Sequence, residues 1–320
     1  MEKKLAIGID IGGTTTKFGI VDDHGHILEQ DRIPTNEHEV ASLFIDDLHA
    51  KLWSMMMRHG KLENYMGIGV GAPNGNYYTG TIEYAPNLKW KGIIPMAKML
   101  EEKFGLHTRL TNDANAAAMG EMIYGCAKGK KHFITITLGT GVGSGIVIDG
   151  KIVLGHDGFA GELGHTIIRP GGRVHKGTGI KGSLEAYASA TGVRETAIEF
   201  LTNEPDTDSL LRNFSIDDLT SQTVYECAIK GDKIANRIFE YTGQILGEAL
   251  ANFVMFSSPE VIVLFGGLTK AGDLILNPTV EAMEANLIKV FKNKVKVVFS
   301  NLQEADAAIL GASALVWDEK

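Results

Sequence analysis

Leu5-Ala6-Ile7-Gly8-Ile9-Asp10-Ile11-Gly12-Gly13-Thr14-Thr15-Thr16-Lys17-Phe18-Gly19-Ile20-Val21-Asp22-Asp23 is the stretch that decides the fold. Leu5 to Asp10 is an apolar, β-compatible run that stops at a glycine pair, and Lys17 to Val21 resumes the strand pattern. Asp22-Asp23-His24-Gly25 reads as a hairpin turn, with His26 to Arg32 as a third strand. The same unit returns 126 residues later. His132 to Leu138 is a strand, Gly139-Thr140-Gly141-Val142-Gly143-Ser144-Gly145 a glycine turn, Ile146 to Ile148 a strand and Asp149-Gly150 a hairpin turn. Gly13-Thr14 falls on Gly139-Thr140, Gly19-Ile20-Val21 on Gly145-Ile146-Val147, and Asp23 on Asp149. A strand, glycine turn, strand and hairpin used twice in the same order predicts a duplicated α/β domain.

The elements between the repeats fit that prediction. Val40, Leu43, Phe44, Leu48, Leu52 and Met55 recur at gaps of three and four, one face of a helix, and Met55 to Met57 read as core filler. Met66 to Gly71 reads as a buried strand, Asn74 to Trp90 as a loop rich in glycine and tyrosine, and Pro95 to Phe104 as a helix. A short strand, Thr108 to Thr111, then runs into the alanine-rich helix Ala114 to Tyr124. In the second half Leu184 to Phe200 reads as one helix and residues 202–222 as a polar, acidic surface segment. Ile234 to Phe253 carries a long amphipathic stripe, and Val261 to Phe265 is apolar throughout, as a parallel strand buried on both faces would be. Lys294 to Phe299 is a last strand and Ala305 to Val316 a last helix.

Bulk properties narrow the classes of function. A chain of 320 residues suits two domains, and 44% hydrophobic with 22% charged residues is ordinary globular composition. The net charge of −8 argues against nucleic acid as the main partner. Two cysteines, Cys126 and Cys227, build neither a disulfide framework nor a four-cysteine metal site, and read as reduced thiols. Met1 to Lys4 leads directly into a strand, so neither a signal peptide nor a membrane span is expected, and the expected location is cytoplasmic.

Three glycine turns follow apolar strands: Gly12-Gly13 with Thr14, Thr15 and Lys17; Gly139-Thr140-Gly141 with Gly143; and Gly266-Gly267. Glycine lets the backbone approach a phosphate, and N–H groups with threonine hydroxyls make an anion cradle. None fits the Gly-Lys-Ser/Thr loop, and the first two run into a strand where the dinucleotide fingerprint requires a helix. Phosphates would therefore be gripped between two hairpins of two domains. Asp10, at a buried strand tip, is either a turn aspartate or a carboxylate holding Mg²⁺ through water. Asn112-Asp113 stands where a strand meets a helix, as a cap or as the carboxylate that receives a hydroxyl proton in phosphoryl transfer. Glu162 and His165, set between glycines, make a polar turn or a hydroxyl-binding pair, and Glu185 stands at another helix start.

With these motifs in their order, the sequence resembles the ROK family of sugar kinases in the hexokinase–actin superfamily. The matching pieces are Asp10 to Lys17, Asn112-Asp113, Leu138 to Gly145, Gly161 to His165, Gly182 to Glu185, and Phe265 to Leu268. The resemblance implies two ribonuclease-H-like (actin-like ATPase) α/β domains around an interdomain cleft, with ATP and Mg²⁺ as cofactors. It places Gly13, Thr14, Thr140, Gly141, Gly266 and Gly267 on the nucleotide. Asp113 becomes the base acting on a sugar's 6-hydroxyl, with Asn112, Glu162, His165, Glu185 and also Gly75 and Asn87 binding the sugar. The implied domains are 1–112 with the helix 305–320, and 113–304. Within the family the match is closest to glucokinases, with N-acetylmannosamine or fructose kinases and a non-catalytic sugar sensor as alternatives. Dimers are common among such kinases, so a homodimer is expected.

One departure stands out. Many family members hold a zinc with three cysteines and the histidine at His165, but here Lys176, Thr178 and Ser183 occupy the cysteine positions, so no zinc is expected. The first strand, starting near Leu5, leaves no room for the helix-turn-helix that precedes the kinase-like part in the family's repressors.

Overall fold

The computed structural model describes residues 4–317, so the outermost ends of the expected first domain, 1–3 and 318–320, lie outside the described residues. The opening repeat forms β1 (Leu5–Ile11), β2 (Thr15–Asp22) and β3 (Ile27–Pro34), followed by α1 (Ala41–His59) and β4 (Tyr65–Ala72). Three short strands, β5 (Gly75–Asn76), β6 (Thr81–Glu83) and β7 (Ile93–Ile94), form a small sheet of their own, so the segment expected as a loop is partly ordered as strand. After them come α2 (Met96–Phe104), β8 (Thr108–Asn112) and α3 (Asp113–Ile123). The larger sheet has the order β3-β2-β1-β4-β8, antiparallel across the hairpins and parallel from β1 onward.

The second repeat builds β9 (Phe133–Leu138), β10 (Val142–Ile148) and β11 (Lys151–Ile152). Helices α4 (Glu185–Ala188), α5 (Ala190–Asn203), α6 (Ser221–Ala228) and α7 (Lys233–Ser257) come next, then β12 (Val261–Phe265), α8 (Asp273–Asn286), β13 (Lys296–Phe299) and α9 (Glu304–Ala314). Its sheet runs β11-β10-β9-β12-β13, the same order as the first, and β9, β12 and β13 are parallel. The duplication read from two glycine turns is thus a duplication of whole sheets. At the second hairpin, Asp149 and Gly150 both take positive φ, 52° and 73°, as a tight two-residue turn requires.

Two compact units result. One holds the residues through Lys131, Gly145–Gly161 and those from Ser300 on; the other holds His132–Ser144 and Glu162–Phe299. In the first, Phe44, Leu48, Leu52, Met55 and Met56 of α1 are buried against the sheet, but Val40 and Leu43 are half exposed. Val40 precedes the helix as its N-cap, and Leu43 lies off the buried stripe, so the core face is narrower than the spacing suggested. Met57 is likewise exposed.

The last helix is seated by glycine. Gly19, Gly8 and Gly69 stand side by side on β2, β1 and β4. A Cβ on Gly8 would lie 2.0 Å from the Ile309 carbonyl oxygen, and one on Gly69 1.8 Å from that of Ala312. The helix backbone therefore rests directly on the sheet, which is why α9 is built of small residues there. Leu184 to Phe200 is two helices, because Ser189 turns extended and caps α5 by accepting the Gly192 N–H at 2.9 Å.

Candidate functional site

In the first unit the predicted residues collect at the carboxyl ends of the strands. Asp10 lies near the end of β1, opposite Lys17 on β2 and level with Gly71 on β4. Gly71 in turn is level with Thr111 on β8, two residues before Asp113. The Asp10 and Asp113 carboxylates interact electrostatically across this row. Burial, and after it the Asp113 charge, push the Asp10 carboxyl up to about 6, while Lys17 pulls the other way. Asp113 keeps solvent access on one side but is closely ringed by protein, and that desolvation raises its carboxyl above the usual range. Its Oδ1 accepts the Ala114 N–H at 2.8 Å, which opposes the rise and fixes the side chain at the start of α3. Asn112, not Asp113, caps the helix: its Oδ1 accepts the Asn115 N–H at 2.7 Å, leaving its amide NH₂ as the group available to a ligand.

The first glycine turn is closed by the Gly12 N–H to the Thr15 carbonyl at 3.1 Å. Thr14 faces solvent, whereas Thr16 points inward and shares a 2.7 Å bond with Thr35. Gly13 lies against the backbone of Asn87, and Gly75 lies against the backbone of Thr111. The 74–90 segment is thus laid across the row of strand ends, bringing Asn87 to the glycine turn and Gly75 to the β8–α3 junction.

In the second unit the glycine turns adjoin one another. Gly266 takes φ 106° and packs on the backbone of Leu138, immediately before Gly139. The turn at Gly139-Thr140-Gly141 is anchored on α5, with the Ala190 N–H donating to the Gly139 carbonyl at 2.9 Å and the Thr191 hydroxyl to the Thr140 carbonyl at 3.0 Å. The Gly143 N–H donates to Thr137 Oγ1 at 3.1 Å. Gly267 opens a short 3₁₀ turn to Ala271.

Val142 joins the second glycine turn to the polar residues predicted for the sugar. Its N–H donates to Glu185 Oε2 at 2.7 Å, and its carbonyl lies against Gly164. The Leu163 N–H donates to Ser144 Oγ at 3.2 Å, pinning the turn that carries Glu162 and His165 to the same strand. Glu162 and His165 are 3.8 Å apart. Glu185, Glu162 and His165 therefore gather around the start of β10. Two neighbours were not anticipated from sequence. His175 Nε2 lies 2.9 Å from Glu185 Oε1, and Thr178 Oγ1 lies 2.9 Å from His175 Nδ1. No spacing rule links residue 175 to residue 185, so nothing local could have exposed the pair.

The donors around His165 do not suit zinc. Lys176 is a cation paired with Glu195, Thr178 is bound to His175, and the Ser183 hydroxyl is buried with no partner among the described residues. None of the three supplies a thiolate, and among the described residues no three ligating groups gather around His165. The loop is secured instead by Arg173. It forks onto Glu199 at 2.9 and 2.7 Å, donates to the carbonyls of Ala186 and Gly192, and stacks on Tyr187.

The family model that matches residues 6–319 is that of the ROK family. The chain belongs to the ROK family. A glucokinase from Halalkalibacterium halodurans is 36% identical over 318 residues, spanning 99% of this chain and 96% of the relative. Among solved structures, the ROK family glucokinase of Streptomyces griseus in complex with glucose and AMPPNP aligns with a TM-score of 0.80 at 31% identity, over 97% of this chain and 98% of that one. ROK regulators match as well: the DNA-binding transcriptional dual regulator NagC of Escherichia coli is 28% identical over 314 residues, 97% of this chain and 75% of the regulator. The two duplicated sheets are those of the actin-like ATPase fold of ROK kinases. Among the described residues no helix is long and apolar enough to cross a membrane.

Proposed function

We propose that this ROK protein transfers the γ-phosphoryl group of ATP to the 6-hydroxyl of a hexose, glucose by preference. The observation that carries the reading is the placement of Asp10 and Asp113 at the ends of β1 and β8, both beside Gly71 on the intervening β4 and next to a glycine turn. A buried carboxylate beside a second, solvent-reached one suits a site that receives a cation and an exchangeable proton. Asp113 orients the 6-hydroxyl and takes its proton late in the transfer. Asp10 would hold a Mg²⁺, which when bound would neutralise charge on the phosphates. Gly12, Gly13, Thr14, Thr15 and Lys17 from the first repeat, Gly139, Thr140, Gly141 and Gly143 from the second, and Gly266 and Gly267 hold the nucleotide. Asn112, Glu162, His165 and Glu185, with Gly75 and Asn87, hold the sugar. Glucose is placed first because the 36% identical relative is a glucokinase and the aligned Streptomyces griseus enzyme binds glucose with AMPPNP. A cytoplasmic homodimer that binds no nucleic acid completes the reading.

A coupled ADP-release assay with glucose tests it. Asp113→Asn keeps the side-chain shape and removes the base, so kcat should fall by about 10²–10⁴-fold with the sugar KM little changed. Near-wild-type turnover in that variant would refute the assignment. A wild-type chain that binds glucose and releases no ADP would point to a sensor of the regulator type.

A further inference from the structure

We propose that His175 is a positioning residue for the acceptor sugar, acting through Glu185, and that the chain Thr178–His175–Glu185–Val142 locks that carboxylate in its binding pose. The inference rests on the reading of Glu185 as a sugar-binding residue.

The hydrogen-bond roles along the chain can be assigned end to end. The Val142 N–H donates to Glu185 Oε2 at 2.7 Å. An ionised carboxylate only accepts, so His175 Nε2, 2.9 Å from Oε1, carries the proton and donates. With the ring in its neutral form, His175 Nδ1 is the acceptor and the Thr178 hydroxyl donates to it at 2.9 Å. Thr178 Oγ1 itself accepts the Ile180 N–H at 3.3 Å. Each group has a role that its neighbour can meet, with no proton left over. The His175 backbone is closed in the same turn, its N–H donating to the Ile180 carbonyl and its carbonyl accepting the Gly179 N–H, both at 2.8 Å.

The consequence for Glu185 is mechanical. Its two oxygens are held from opposite sides, one by the second glycine hairpin and one by the loop that lacks the family's cysteines. Gly141 makes room for this pose, since a Cβ there would sit 2.3 Å from Oε2. Both side chains are largely buried, with 19% and 13% of His175 and Glu185 exposed, so the bond is shielded from competing water. One lone pair on each oxygen is engaged, and the others stay free for vicinal hydroxyls. The device ties the orientation of a substrate ligand to the 175–180 turn, the place where zinc would order the loop in relatives.

The test pairs kinetics with a readout that needs no turnover. His175→Ala should raise the sugar KM by about 10-fold or more, as loss of a residue that orients a ligand does, with the ATP KM unchanged. His175→Gln, whose amide can donate from a similar reach, should restore the sugar KM to within about 3-fold of wild type. In a Glu185→Gln background the His175→Ala change should add nothing further to KM. A sugar KM unmoved in His175→Ala, or effects that multiply in the double variant, overturns the proposal. In the sugar-free protein, long-range ¹H–¹⁵N correlation spectra should show His175 as the Nε2–H tautomer, with that signature lost in Glu185→Gln. An Nδ1–H ring overturns the chain whether or not any sugar is phosphorylated. One zinc per purified chain that His175→Ala releases overturns it as well. If no hexose is turned over but the tautomer holds, the proposed function fails and the chain's geometry stands.

Discussion

Replacing Gly69 by alanine probes how the last helix is held. The new Cβ would lie 1.8 Å from the Ala312 carbonyl oxygen, whereas side-chain carbons do not pack closer than 3.0 Å. Strand β4 and helix α9 must therefore part by roughly 1.2 Å. The obstacle is backbone on both sides, so no rotamer change relieves it. Moving α9 also loosens Ile309, Ala312, Ala314 and Leu315, all buried. Overpacking costs about 1–3 kcal/mol where side chains can adjust, and this rigid case belongs at or above the upper end, about 3 kcal/mol. That corresponds to a fall in Tm of about 6–12 °C for the unit concerned. Scanning calorimetry is the suitable assay, because it resolves the two units if they unfold separately. Gly139→Ala is the control: its Cβ would meet nothing within 4 Å and its φ is not in the left-handed region, so stability should stay within about 0.5 kcal/mol. A Gly69→Ala transition within about 2 °C of wild type would show that the helix is free to ride up, and would refute the seating by glycine.

Arg173→Ala should destabilise by about 2–4 kcal/mol in urea unfolding, because the Ala186 and Gly192 carbonyls lose their donor, and Arg173→Lys should not rescue it since lysine has no fork to place. The Glu204 carboxyl is held below its usual range chiefly by the Arg237 fork, at 2.7 and 2.8 Å. It titrates lower folded than unfolded, so the pair's small contribution is full above pH 4.5 and fades as the pH falls below that value. The Tm difference between wild type and Glu204→Gln, followed from about pH 7 to pH 3, should shrink at the acid end, and a difference that grows there would contradict the pairing.

What the sequence determined by itself was local or repeated. Apolar runs stopped by glycine gave the strands, the 126-residue echo gave the duplication, and the motif order gave the ROK assignment that the family model matches. These features survive in one dimension because strand period, helix period and turn chemistry are properties of neighbours in the chain. The failures fall where that stops being true. Ser189 breaks an apparent helix, and the 74–90 segment supplies two strands of a small sheet where a loop was expected. Only the tertiary structure set Asp10 against Asp113, laid α9 on a row of glycines from three strands, and placed His175 on Glu185. Each of these joins residues whose separation follows no period, and their energies come from desolvation and close contact, which exist only once the chain has folded.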